Sequence, residues 1–225
     1  MGNLGKCCPS TSEEEQKYIT HNKAEIDKII NSLFVSKENF NIKDERFKNF
    51  FELMEVFEYQ NYFLIKVDQF IYIKITENTF NSLKQIFSYI LLNIYNKSIN
   101  EEFIQIFGRL YSLSNKIYYT KNGEKIFLKD EREIKEKEIF ENKEIWKKKL
   151  EYSINRELNK RTNKLNDSEI KTIAYSTILN ISNDMKLALL SIKKIKDILS
   201  PFIIQYNLTD DFKNQLHQFL ISNNK

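Results

Sequence analysis

The chain has 225 residues, 41% of them hydrophobic, which is enough apolar material to bury a sizeable core. Its 35 basic residues are nearly balanced by 31 acidic ones, and a net charge of +4 lacks the concentrated basic excess of a generic nucleic-acid binder. The most apolar stretch, Tyr89 to Tyr95, is far short of the roughly 20 residues that span a bilayer, and no secretory h-region is present, so the chain is expected to be cytosolic before any lipid is added.

In chain order the first signal is Met1-Gly2-Asn3-Leu4-Gly5-Lys6-Cys7-Cys8. Once Met1 is removed, Gly2 is an acceptor for N-myristoylation, and Cys7 and Cys8 stand where palmitoyl groups are added. One myristoyl chain binds a membrane with an association constant of only about 10⁴ M⁻¹, so a stable anchor needs a second acyl chain or a polybasic patch. Lys6 is the only base in the first sixteen residues, and Glu13, Glu14 and Glu15 oppose it. Charge therefore cannot be the second signal. Cys7 and Cys8 can be, because they are the only cysteines in the chain and serve no disulfide framework. The acceptor pattern usually has Ser or Thr where Lys6 stands, which is a departure from it. Residues 1–12 are expected to be a flexible lipid anchor on the cytoplasmic face of a membrane, ahead of one helical domain over 13–225.

Only Gly108, Gly123 and Pro201 follow Pro9 among the turn-forming glycines and prolines. So few breakers, with apolar residues recurring every 3.6 positions, predict an all-α fold of about eight or nine helices with one short β-hairpin. Ser12 and Glu15 suggest a capping box for a first helix carrying Tyr18, Ile19, Ile26, Ile29, Ile30 and Leu33 on one face. Phe47, Phe50, Phe51, Met54 and Phe57 predict a second helix, and Phe63, Val67, Phe70 and Ile71 a short third one. Tyr72 to Ile75 alternates and reads as extended. The clearest helix follows, with Phe80, Leu83, Ile86, Phe87, Ile90, Leu91, Ile94 and Tyr95 on one face. Asn100 caps a fifth, carried by Phe103, Ile104, Phe107, Leu110 and Tyr111.

The period then changes, because Ile117 to Thr120 and Lys125 to Leu128 flank Asn122-Gly123, whose residues tolerate the positive φ of a two-residue hairpin turn. Lys129 to Lys143 is a charge run, read as a solvated helix start or a mobile connection. Ile145, Trp146, Leu150, Ile154 and Leu158 give the next helix, with Trp146, the only tryptophan, largely buried. Asn166 with Glu169 caps a helix over Ile170 to Ile181. Ser191 opens another through Ile203, expected to kink or end early near Leu199 because of Pro201. Thr209 caps the last, on which Phe212, Leu216, Phe219 and Leu220 face inward.

From about Lys43 onward the order of features resembles the helical SET-binding-factor domain, found in DENN-containing myotubularin-related pseudophosphatases and in a small related cytoplasmic protein. The residues that carry it are Arg46-Phe47, the run Thr79 to Phe87, the hairpin at Asn122-Gly123, Ile145-Trp146, and Asn207-Leu208 before Thr209-Asp210-Asp211. The charged insertion from Glu131 to Lys143 and the lipid-type terminus depart from it. The resemblance implies a non-catalytic helical scaffold in membrane traffic, with no catalytic residues.

Candidate chemistry is sparse. His21 and His217 have no Cys, Asp or His at ligand spacing and read as surface residues, so neither a metal nor a cofactor is expected. No nucleophile elbow, phosphate loop or dinucleotide fingerprint is present, and no enzyme activity or small-molecule substrate is expected. The basic segment Lys143, Lys147, Lys148, Lys149, Arg156, Lys160, Arg161 and Lys164 is either a solvated helix face or, through Lys147, Lys148, Lys149, Arg156, Lys160 and Arg161, a contact with anionic lipid. The leading reading is a lipid-anchored helical adaptor whose protein partner the sequence does not name. The alternatives are a soluble helical subunit of a larger assembly and an enzyme with no recognisable motif.

Overall fold

The computed structural model of the chain describes residues 13–36, 44–70, 75–161 and 164–222. The fold is all-α with a two-stranded hairpin, as the apolar periodicity predicts. The chain divides into two compact units, one formed by Met1–Ile94 with Arg109–Glu131 and the other by Tyr95–Gly108 with Arg132–Lys225. Ser12, Ile71 and the segment from Tyr72 to Lys74, which the sequence marks as cap, helix end and strand, lie outside the described residues.

The first unit opens with α1 (Glu13–Asn31), which packs on α2 (Lys48–Leu53) and α3 (Phe57–Phe70). Ile26, Ile30 and Leu33 enter its core with Phe50, Phe51, Phe63, Leu64 and Val67, each worth roughly 1.5–3 kcal/mol of transfer free energy. Tyr18 shares their stripe but is 64% exposed, because it lies a turn before the helix finds cover. The second expected helix is shorter than its periodicity suggests. It stops at Leu53, and Phe57 begins α3 instead, so Met54 to Val56 form the corner where the Gln60 side chain donates to the Met54 carbonyl at 2.7 Å. Asn22 is buried and donates to the Tyr59 hydroxyl at 2.9 Å, which satisfies one polar pair inside the α1–α3 contact.

Helix α4 (Glu77–Lys97) buries Phe80, Leu83, Ile86, Phe87, Ile90, Leu91 and Ile94 as expected, while Tyr95 is 40% exposed. Helix α5 (Glu101–Lys116) begins where Asn100 Oδ1 accepts from the Phe103 amide at 2.8 Å. Then β1 (Tyr118–Lys121) pairs antiparallel with β2 (Glu124–Phe127), with Lys121 opposite Glu124. Asn122 at φ 52° and Gly123 at φ 86° form the expected two-residue turn of mirror-image type, whose twist matches that of the strands. The buried Tyr119 ring lies 4.7 Å from that of Phe80, which fixes the hairpin on α4.

The second unit contains α6 (Ile134–Phe140), α7 (Lys143–Asn159), α8 (Asp167–Leu187), α9 (Ile192–Gln205) and α10 (Asp210–Ser222). Helix α7 packs on α8 and α9, and α8 also packs on α10. Asn166 and Glu169 form the reciprocal box expected of them, at 2.9 and 2.8 Å. Ser191 and Thr209 accept from the Lys194 and Phe212 amides. Helix α6 arises inside the charge run and is the tenth α-helix among the described residues. Its first turn is closed by Glu136, whose carboxylate accepts from the Glu133 amide at 3.2 Å, and Ile139 and Phe140 supply its buried side.

Helix α9 does not end at Leu199 but continues through Pro201 to Gln205. The amide that Pro201 lacks would have bonded the Asp197 carbonyl, and both residues are exposed, so the lost bond falls on the solvent side of the helix. Phe202 is buried and holds the last turn down.

Helices α8 and α9 end in the same way. After α8 the Leu190 amide bonds the Met185 carbonyl and the Leu189 amide that of Lys186; after α9 Leu208 bonds Ile203 and Asn207 bonds Ile204. Both are Schellman caps with one left-handed residue, Asn207 at φ 46° and Leu189 at φ 64°.

Candidate functional site

Among the candidate site residues, Gly2, Cys7 and Cys8 lie outside the described residues. The basic segment is described up to Arg161 and again at Lys164. Helix α7 turns Ile145, Trp146, Leu150 and Ile154 inward, and its cap is Asn142, which accepts from the Glu144 amide at 2.9 Å. The Trp146 indole is fully buried, edge-on to Phe107 at 5.5 Å, and its N–H donates to the Phe140 carbonyl at 2.6 Å. A backbone acceptor at the end of α6 thus satisfies the one polar atom of the largest core side chain.

Lys149 does not belong to the outer face. It is buried, and its ammonium donates to Asp184 on α8 at 2.8 Å while lying 4.8 Å from the Trp146 ring. Burial pushes its pKa below the usual lysine value, and the Asp184 carboxylate opposes that shift. The position was readable in the sequence, since Lys149 stands three residues after Trp146 and four after Ile145 on the same stripe. Its residue type hid it, because lysines are rarely inside unless paired.

The remaining cations are spread and largely matched by acids. Lys143 pairs with Asp197 at 2.7 Å and Lys147 with Glu144 at 2.7 Å. Glu157 receives both Lys160 at 2.7 Å and Arg156 at 3.3 Å. The hydrogen bonds from Lys143 and Lys160 hold the Asp197 and Glu157 carboxyls below their usual range. Lys148 donates to the Ile99 carbonyl. Lys160 and Arg161 meet Leu165, Glu169 and Ile173 around a hollow of about 480 Å³. The segment is therefore a face of local ion pairs rather than a concentrated positive field.

His21 and His217 are exposed, as their surroundings in the sequence suggest. Among the described residues no three His, Cys, Asp or Glu side chains gather into a metal-binding group, and no helix is long and apolar enough to cross a membrane. His217 lies at the edge of a groove of about 550 Å³ between α9 and α10, walled by Leu199, Ile203, Ile204, Leu216 and Leu220. Ile204 is 75% exposed there, and Leu189, between α8 and α9, is 87% exposed. Neither was singled out in the sequence, where both blend into apolar stripes; the Leu187 to Leu190 run, with no glycine to end α8, is the signal that was present. No protein-family model, curated protein or solved structure matches the chain.

Proposed function

We propose that this chain is a non-catalytic helical adaptor held on the cytoplasmic face of a membrane by a myristoyl group on Gly2 and palmitoyl groups on Cys7 and Cys8. Its helical body would present a surface to a protein partner, in the manner of the SET-binding-factor scaffolds whose order of features it resembles. One observation carries the reading: the only two cysteines of the chain stand within six residues of an acylatable Gly2. The pairing of Lys143, Lys147, Arg156 and Lys160 with acids supports assigning membrane attachment to acyl chains rather than to α7.

Myristate alone exchanges rapidly, and each further buried methylene adds about 0.8 kcal/mol, so one palmitoyl chain far outweighs a single lysine. Flotation of the full chain with membranes at physiological salt tests the scheme. The wild type is expected to float and Gly2→Ala to remain soluble, since the first encounter with the acyltransferase membrane is lost. Full flotation of Gly2→Ala rejects the anchor and favours the soluble-subunit reading.

A further inference from the structure

Leu189 is the most exposed of the exposed large apolar side chains described, and its backbone is in the left-handed region at φ 64°. The cap needs the left-handed backbone at this position but not an apolar side chain there. In a Schellman cap the left-handed position is ordinarily Gly or Asn, and the accompanying apolar contact is made by the next residue. The α9 cap follows that rule, with Asn207 left-handed and Leu208 buried. The α8 cap has its contact too, since Leu190 is 6% exposed. Leu189 therefore spends backbone strain to hold an isobutyl group in water, while Leu187, one turn position before the cap, is 42% exposed beside it.

The charge around this tip is predominantly positive, with Asp184 and Asp197 flanking it and Glu141 reaching Lys194. From Met185 to Lys196 the chain has Lys186, Lys193, Lys194 and Lys196 and no acidic residue. Lys194 is held by Glu141 at 2.7 Å and Lys186 by the Phe219 carbonyl at 2.9 Å. Lys193 and Lys196 are exposed, and the charge of Lys193 also acts on the nearby Asp197 carboxylate. The amides at the N-terminus of α9 add to the positive potential, with Ser191 taking only that of Lys194.

We propose that the α8–α9 turn is a membrane-insertion tip, with Leu187 and Leu189 entering the interface of an anionic bilayer and Lys193 and Lys196 meeting its phosphates. Two exposed leucines with exposed lysines beside them match an anionic bilayer, which yields around an inserted side chain, whereas a protein partner would need a preformed pocket of opposite charge. The inference rests on the reading of the chain as a membrane-surface protein, but it is independent of acylation.

The test uses the full chain made without acyltransferases, sedimented with vesicles of 30% phosphatidylserine in phosphatidylcholine. The wild type is expected to bind these vesicles, to release them at high salt, and to bind pure phosphatidylcholine weakly. Leu189→Gly removes the apolar group and also the backbone strain, so it is expected to fold with a raised melting temperature and to lose about tenfold in vesicle affinity. Lys193→Glu with Lys196→Glu is expected to abolish the preference for phosphatidylserine. Equal binding by Leu189→Gly and the wild type, no binding by either, or a wild-type dimer in solution that Leu189→Gly disperses would each overturn the proposal. Because acylated protein is absent from this assay, its failure leaves the Gly2 result standing, and the reverse also holds.

Discussion

Trp146 and Lys149 stand three residues apart on one helix and show what a sequence does and does not reveal about single residues. The burial of Trp146 followed from its spacing with Ile145, Leu150 and Ile154, and the structure places it at the centre of the second unit's core. Trp146→Ala is expected to cost about 3 to 5 kcal/mol, measured by urea unfolding, since it leaves a cavity and removes the indole hydrogen bond to the Phe140 carbonyl. Lys149 lies on the same stripe, yet its partner Asp184 is on another helix, and only packing brings the two together. Asp184→Ala strands a buried ammonium and is expected to cost about 3 kcal/mol near neutral pH. The pH dependence identifies the cause. Without the carboxylate that opposes desolvation, the folded-state pKa of Lys149 falls further below its ordinary value. Between that lowered value and the ordinary one the unfolded chain holds a proton that the folded chain lacks, so stability rises with pH across the window. The deficit of Asp184→Ala relative to wild type should shrink as pH is raised toward the ordinary lysine value, and a constant deficit would show that the ammonium is not its source.

At the scale of elements, those with redundant local signals were legible. The hairpin had alternation on both sides and Asn-Gly between, and it forms in that register. A Cβ on Gly123 would meet nothing within 4 Å, so Gly123→Ala tests the backbone alone. It is expected to cost about 1 kcal/mol through the positive φ, read as a lowered midpoint in urea, and an unchanged midpoint would refute the turn geometry. Helix α6 was not legible because the charge run spells only Ile139 and Phe140 as a buried face, and a single helical turn of apolar residues cannot be told from a loop. The continuation of α9 past Pro201 was equally hidden. A proline is costly where the orphaned carbonyl is buried, whereas here Asp197 and Pro201 are both exposed.

For the whole molecule, fold class was readable from breaker scarcity, but the division into two units was not. The transitions between Ile94 and Tyr95 and between Gly108 and Arg109 fall inside α4 and α5, where no linker composition marks a boundary. The proposed membrane attachment belongs to this scale too, and its expected signature is graded. Cys7→Ser with Cys8→Ser should leave weak, rapidly exchanging flotation, intermediate between wild type and Gly2→Ala, because one acyl chain remains. Flotation by the double variant as strong as that of wild type would remove the palmitoyl groups from the scheme.

The interleaving of the two units also bears on synthesis. Each draws on two separate stretches of chain, so the first is incomplete until Glu131 has left the ribosome, by which time Tyr95 to Gly108 has already emerged. At roughly 5 to 20 residues per second, the 37 residues from Tyr95 to Glu131 take about two to seven seconds to translate. Until Tyr119 emerges, Phe80 on α4 lacks the ring that packs against it in the folded unit. The same arrangement means that no single cut in the gene separates one unit intact from the other.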